Sequence, residues 1–397
     1  MFREDHTTPD IVYAQSVEPP SSAMIVINSG KLYSKQISAE RELLGFDPVR
    51  ILADMLSISF KSGPYSPGRL YPKSPEKPTL SEMIGGFVRV LENAGLVPRG
   101  SRPLNLWPEP YKFALALTHD IDIIHRSIPG SIRLLWNRDL PGGIGALVDS
   151  VKASIADRLN PYDRIREWIK REKELGLKSS FFVFDGWRQH ASDPKYTLSQ
   201  LSDDLNTIKS NGFELGLHSG IGCHSGQHIA ESKKSLESTT TADVHGIRPH
   251  YLSAAFPEYW RAAILAGFAY SSAFGFDEEI GFLHGIDLPV IPFDKQSDKS
   301  LDIVEIPIAI MDCGLVGRGN ARSEESFEHA RSLIDRCAAV GGLVVLDWHE
   351  RTLYERDYPG WGNLYFKLAE YAKSKGAFIT LMSDIAAITM NRFQGKP

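Results

Sequence analysis

The chain has 397 residues, of which 42% are hydrophobic and 23% charged, and a formal net charge of −5. That balance speaks against nucleic-acid binding as the protein's main business, and no apolar run approaches the ~18 residues of a membrane span. The length accommodates one large α/β domain with a smaller companion, or several domains. The opening stretch, MFREDHTTPDIVYAQ, is charged and lacks the apolar centre of a secretory signal. Farther along, AMIVINS (23–29) is strand-like and PVRILADMLSISF (48–60) helix-like, and the Pro- and Ser-rich stretch 61–82 reads as a long loop. SEMIGGFVRVLENAG (81–95) has helical spacing and a glycine stop, and 96–110 looks like a linker. Residues 1–105 are therefore expected to form a small N-terminal accessory α/β region or wrap.

From residue 112 the pattern changes. Short apolar runs alternate with helical ones, the signature of βα units. Strand candidates are 113–118, 179–184, 213–218, 245–252, 269–274, 302–310, 342–349 and 377–382, with helix candidates at 163–176, 198–212, 325–342 and 361–376. This fits a distorted (β/α)7-type barrel over residues 106–397 better than an open sheet. Three widely spaced cysteines, Cys223, Cys313 and Cys337, make neither a disulfide framework nor a Cys-x-x-Cys zinc site. A reduced, cytoplasmic protein is the expectation.

Several predicted strands end in ionisable residues: Asp120 and Asp122, His218, Arg248 and His250, and His349. In βα barrels the carboxyl ends of the strands build the active site. On an extended segment Asp120 and Asp122 point to the same side. Two carboxylates so placed repel each other, and a divalent cation on one of them relieves the repulsion. Nitrogen ligands are offered by GLHSGIGCHSGQH, which contains His218, His224 and His228. Any one of these residues alone reads more readily as structure than as chemistry, but their convergence on strand ends points to a site.

The motifs resemble those of the polysaccharide deacetylase family, carbohydrate esterase family 4, with its NodB-homology fold. ALTHDID resembles the first motif, LGLHS the second, GIRPHYL the third and VVLDWHE the last. The wording THDID, LHS, RPHYL and GFDEEIGF is closest to a bacterial subgroup of that family. The resemblance implies Asp120 as catalytic base, Asp122 and His218 as metal ligands, Arg248 as the residue positioning the base and His349 as general acid. The family's second metal histidine falls four residues after the first, where this chain has Gly222, and His224 is the candidate replacement.

The implied activity is metal-dependent removal of an N-acetyl group from a sugar or saccharide intermediate. Zinc is the first choice of divalent metal, with cobalt or nickel as alternatives. Tyr251, His250 and Trp348 neighbour the motif residues and are candidates for substrate contact. The long segment 123–161, with Arg126, Arg133, Trp136 and Arg138, is a candidate cover for the site. Two other readings stay open: a non-catalytic saccharide-binding or assembly protein on the same fold, and a hydrolase of a small non-sugar amide.

Overall fold

A computed structural model describes residues 79–93, 105–125, 160–223, 225–294, 297–316 and 324–394, four short strands before residue 45, and residues 145, 148, 149 and 151. The helix expected at 48–60, His224, and the side chains of Arg126, Arg133, Trp136 and Arg138 lie outside the described residues. Among the described residues, no helix is long and apolar enough to cross a membrane.

Near the N-terminus, β1 (Ile11–Ala14), β2 (Ile25–Asn28), β3 (Lys31–Ser34) and β4 (Arg41–Leu44) form a four-stranded sheet in chain order. Helix α1 (Thr79–Asn93) begins with Leu80 buried in the main core and with the Ser81 N–H donating to Asp287 Oδ1 at 3.0 Å. An early backbone donor of this helix is thus satisfied by a side chain of the distant barrel.

The barrel is built on β5 (Phe113–Ile121), β6 (Ser180–Val183), β7 (Glu214–Ser219), β8 (Gly246–Pro249) and β9 (Tyr270–Ser271), paired in that order and all parallel. After a short antiparallel excursion, β10 (Phe293–Asp294) with β11 (Lys299–Ser300), one extended segment completes the ring. Its first part, β12 (Val304–Glu305), pairs with β9; its second, β13 (Ile310–Met311), pairs with β14 (Leu343–Asp347), which returns to β5. The sequence reads 302–310 as one strand. It is divided at Pro307, which has no N–H to give a ladder and lies where the segment passes from one neighbour to the other. Finally β15 (Ala377–Thr380) pairs with the first half of β5, whose last residues pair with β6. The ring is therefore a distorted (β/α)7-type barrel with an inserted extra strand.

Helices α2 (Ile165–Glu174), α3 (Ser202–Ser210), α4 (Gly226–Thr240), α5 (Glu258–Leu265), α6 (Asp312–Val316), α7 (Glu324–Val340), α8 (Trp361–Ser374) and α9 (Met382–Phe393) follow the strands. The segment read as one helix from 198 to 212 starts instead as a 3₁₀ turn, Leu198–Leu201, before α3.

Two hydrophobic layers explain the strand sequences. Phe113, Leu115 and Leu117 of β5 belong to the outer layer beneath the helices, while Ala114 and Ala116 belong to the inner layer with Phe182, Tyr270, Val304, Leu343 and Val345. Period-two alternation therefore carries Thr118 and Asp120 inward. It also carries His119 outward, where its Nδ1 meets the Trp348 carbonyl at 2.8 Å and its Nε2 lies 3.2 Å from the buried Glu172. His119 is a structural neighbour of the aspartates, facing away from them.

Candidate metal centre

Four strand ends supply one cluster at the carboxyl rim of the barrel. Asp120 comes from β5 and Asp122 from the residue just after it, His218 from β7, Arg248 from β8 with His250 immediately beyond, and His349 from the end of β14. The cluster has two halves, one organised by a guanidinium and the other by imidazoles.

In the first half Arg248, fully buried, places Nη1 2.7 Å from Asp120 Oδ1 and 2.7 Å from Asp347 Oδ1. The same nitrogen donates to Thr118 Oγ1 at 3.0 Å, and Nη2 donates to Ser272 Oγ at 3.2 Å. The guanidinium lies over the Phe182 ring, 4.0 Å from its centroid. Phe182 in turn occupies space that a side chain at position 216 would need, since a Cβ on Gly216 would stand 2.7 Å from the ring. Burial alone would raise the Asp120 carboxyl, but Arg248, His218 and His349 hold it below its ordinary value. Its neighbour behaves oppositely. Burial drives Asp347 up, Arg248 only partly opposes this, Asp120 adds to it, and the carboxyl is pushed up to about 7. The negative charge of this pair is therefore kept on Asp120.

In the second half Asp122 Oδ1 faces His218 Nε2 at 3.3 Å and His250 Nε2 at 3.6 Å. Its other oxygen is 3.0 Å from His349 Nε2 and 3.6 Å from Arg351 Nη1. Burial works against ionisation of Asp122, yet His349 and the other two histidines hold it well below the usual carboxylate range. The outer nitrogen of His218, Nδ1, lies 3.1 Å from the Arg248 carbonyl oxygen. A carbonyl can only accept, so Nδ1 carries a proton and Nε2 is the nitrogen turned toward Asp122. Burial would lower this imidazole, but the Asp120 and Asp122 carboxylates raise it above its ordinary value.

His349 is fixed by a residue the sequence reading passed over. Asp312, at the start of α6, accepts from the His349 backbone N–H at 2.8 Å through Oδ2 and from the ring Nδ1 at 2.8 Å through Oδ1. Burial would lower the imidazole, but the carboxylates of Asp312 and Asp122 raise it well above its ordinary value. Asp312 lies two residues beyond the predicted strand 302–310, as Asp120 lies two beyond 113–118. Glu350 is the last residue of the VVLDWHE motif and Arg351 the residue after it, and the sequence alone points to a role for neither. Glu350 accepts from the Asp122 and Ile123 N–H groups at 3.3 Å each, and burial pushes its carboxyl up to about 7.

The remaining candidates separate. His250, a candidate for substrate contact in the sequence, stands in the imidazole half with its Nε2 3.6 Å from Asp122 Oδ1. Tyr251 beside it is 55% exposed, its ring centroid 4.5 Å from that of His250, at the edge of the cluster. Trp348 is not brought to the site: alternation along β14 turns it away from Asp347, and its indole N–H donates to the Trp361 carbonyl at 3.1 Å. Gly222 has φ +72°, in the left-handed region that favours glycine, so a histidine at this position would be strained in the backbone that the loop after β7 adopts.

Asp122, His218 and His250 each offer one ligand atom, and these atoms lie within 4.8 Å of one another. Asp122 Oδ1 and His218 Nε2 are buried without a hydrogen-bond partner, a costly state for isolated polar atoms. One carboxylate and two imidazoles suit a divalent transition metal, and a cation among them would satisfy both orphaned atoms. The donor set fits.

No protein-family model matches the sequence, and no curated protein is significantly similar to it. Solved structures are similar in fold. The "probable polysaccharide deacetylase" of Pseudomonas aeruginosa PAO1 superposes with a TM-score of 0.51 at 16% identity, covering 75% of this chain and 98% of that one. The PuuE allantoinase superposes with a TM-score of 0.50 at 17% identity, covering 74% of this chain and 95% of that one. The protein has the NodB-type barrel fold of the polysaccharide deacetylases.

Proposed function

We propose that the protein is a metal-dependent amide hydrolase of the deacetylase type, removing an N-acetyl group from a sugar or saccharide intermediate. The reading is carried by the buried, unpartnered Asp122 Oδ1 and His218 Nε2, set beside a second carboxylate and a third imidazole that an ion does not need. Asp122, His218 and His250 hold the divalent ion, with zinc the first choice and cobalt or nickel the alternatives. Bound there, it supplies Lewis-acid polarisation of the scissile carbonyl and lowers the pKa of water to about 7.

The protein's own groups do the proton work. Asp120 keeps Oδ1 on Arg248 at 2.7 Å, which leaves Oδ2 to take a proton from the attacking water. Arg248 keeps that carboxylate ionised and oriented, as a charge-assisted pair does. His349 carries a proton at Nε2 near neutral pH and delivers it to the departing nitrogen. Asp312 stabilises the imidazolium and fixes the ring so that Nε2, not Nδ1, faces the centre. Tyr251, exposed at the edge of the cluster beside His250, is suited to meet the substrate.

The names of the two solved structures, one a deacetylase and one an allantoinase, keep a small non-sugar amide as the alternative substrate. Elemental analysis of the purified protein, with a screen for acetate released from N-acetylated saccharides and for turnover of small amides, tests the reading. About one metal ion per chain with acetate release that Asp120→Asn abolishes is the expected result. Turnover of small amides only would replace the substrate class. A protein that neither contains nor takes up metal would overturn the hydrolase and favour a saccharide-binding role.

A further inference from the structure

We infer that Asp193 is a positioning residue of the centre, receiving the Nδ1 proton of His250 and so fixing His250 as its third protein ligand; this rests on the metal reading above. Asp193 lies in the loop between β6 and the 3₁₀ turn at Leu198–Leu201 and is 1% exposed. Its Oδ2 accepts from the Gln189 and His190 N–H groups at 3.0 and 2.8 Å, and its Oδ1 from the Ile221 N–H at 2.9 Å. The same Oδ1 lies 3.6 Å from His250 Nδ1, a buried nitrogen with no hydrogen-bond partner.

The arrangement repeats that of His218. In both rings Nδ1 is turned toward an oxygen acceptor, the Arg248 carbonyl for His218 and Asp193 for His250. In both rings Nε2 is turned toward Asp122 Oδ1. Metal-bound histidines characteristically donate their other N–H to such an acceptor, which fixes tautomer and ring direction. The contact at His250, 3.6 Å, stands just beyond hydrogen-bond reach, with no other acceptor paired to that nitrogen. Backbone strain supports the same point: Tyr251 and Leu252, directly after His250, have φ of 55° and 49°. Side chains other than glycine hold that conformation only where the surroundings impose it. One buried carboxylate thus braces the loop after β6, the loop after β7 and the imidazole beyond β8.

The test is a metal titration of the full chain with Zn²⁺ against a chromophoric chelator, for the wild type, His250→Ala, Asp193→Asn and the double variant. His250→Ala is expected to weaken binding by at least tenfold, and Asp193→Asn by about 10- to 100-fold. In the His250→Ala background Asp193→Asn is expected to add nothing, because it acts through that ring. An equal loss in both backgrounds would reveal a merely structural role and overturn the inference. So would an unchanged affinity in His250→Ala, the result if His224 completed the ligand set. A wild type that binds no zinc would instead remove the metal reading itself. Should Asp193→Asn not fold, nitrogen NMR of the zinc-loaded wild type decides. The ring signals missing in His250→Ala must show a protonated Nδ1 and a metal-bound Nε2; any other pattern overturns it.

Discussion

Asp120 and Arg248 meet at 2.7 Å at a depth where their side chains are 5% and 0% exposed. The pair is asymmetric in what its loss would do. In Asp120→Asn, Arg248 keeps Asp347, whose carboxyl ionises more readily once its charged neighbour is gone. The variant is expected to fold, to keep its metal and to lose activity by about 10²- to 10⁴-fold, the usual worth of a general base. Arg248→Leu strands two buried carboxylates and is expected to cost about 3–5 kcal/mol of stability. Urea unfolding beside activity separates the two outcomes, and a strongly destabilised Asp120→Asn would contradict this division of roles.

Asp347 gives the stability a dependence on pH. Its carboxyl is pushed from an ordinary 3.8 to about 7, chiefly by burial. Between those values the folded protein holds a proton that the unfolded chain has released. The stabilisation is complete below the lower value and is lost as pH rises through the upper one. In the presence of a chelator, the urea midpoint is expected to fall from pH 5 to pH 7. It should fall less in Asp347→Asn, where only groups such as Glu350, also pushed up to about 7, contribute in the same direction. Equal slopes in the two proteins would mean that Asp347 is ionised throughout.

His349 and its carboxylate partner Asp312, 2.8 Å away, make a prediction about the leaving group. An amide nitrogen must be protonated to depart, whereas a nitrophenolate need not be. His349→Ala is expected to slow amide hydrolysis by about 10²- to 10⁴-fold, and to slow hydrolysis of an aryl acetate far less. Asp312→Asn should follow the same pattern more mildly. Equal losses on both substrates would make His349 a binding group instead of an acid.

Much of this was legible because polarity at strand ends is expensive and therefore informative. Asp120, Asp122, His218, Arg248, His250 and His349 each end an apolar run, and the fold gathers all six. The alternation that turns Asp120 inward was readable, but its corollary for His119 and Trp348 was not drawn from residue type alone. Asp193 was invisible: it ends no strand and belongs to no periodic segment, and only the folded loop brings it to His250. Asp312 lies on the border of a strand split by Pro307, where periodicity gives no clean end. The part of the site that depends on loops is the part that local spacing could not reach.

Gly216 connects packing to chemistry. A Cβ there would lie 2.7 Å from Phe182 Cδ1 and Cε1, and Phe182 is itself fully buried, so the ring can give way only by displacing what it supports. That burden is the Arg248 guanidinium, 4.0 Å above the ring. Gly216→Ala is therefore expected to cost about 1–3 kcal/mol, as overpacking does, and to lower kcat by disturbing the hold of Arg248 on Asp120. Metal affinity should be nearly unchanged, because Asp122, His218 and His250 do not rest on the Phe182 ring. Thermal unfolding, zinc titration and steady-state kinetics on the one variant check the three expectations together. A destabilised protein with its kcat intact would show that the aromatic platform supports the fold alone and does not position Arg248.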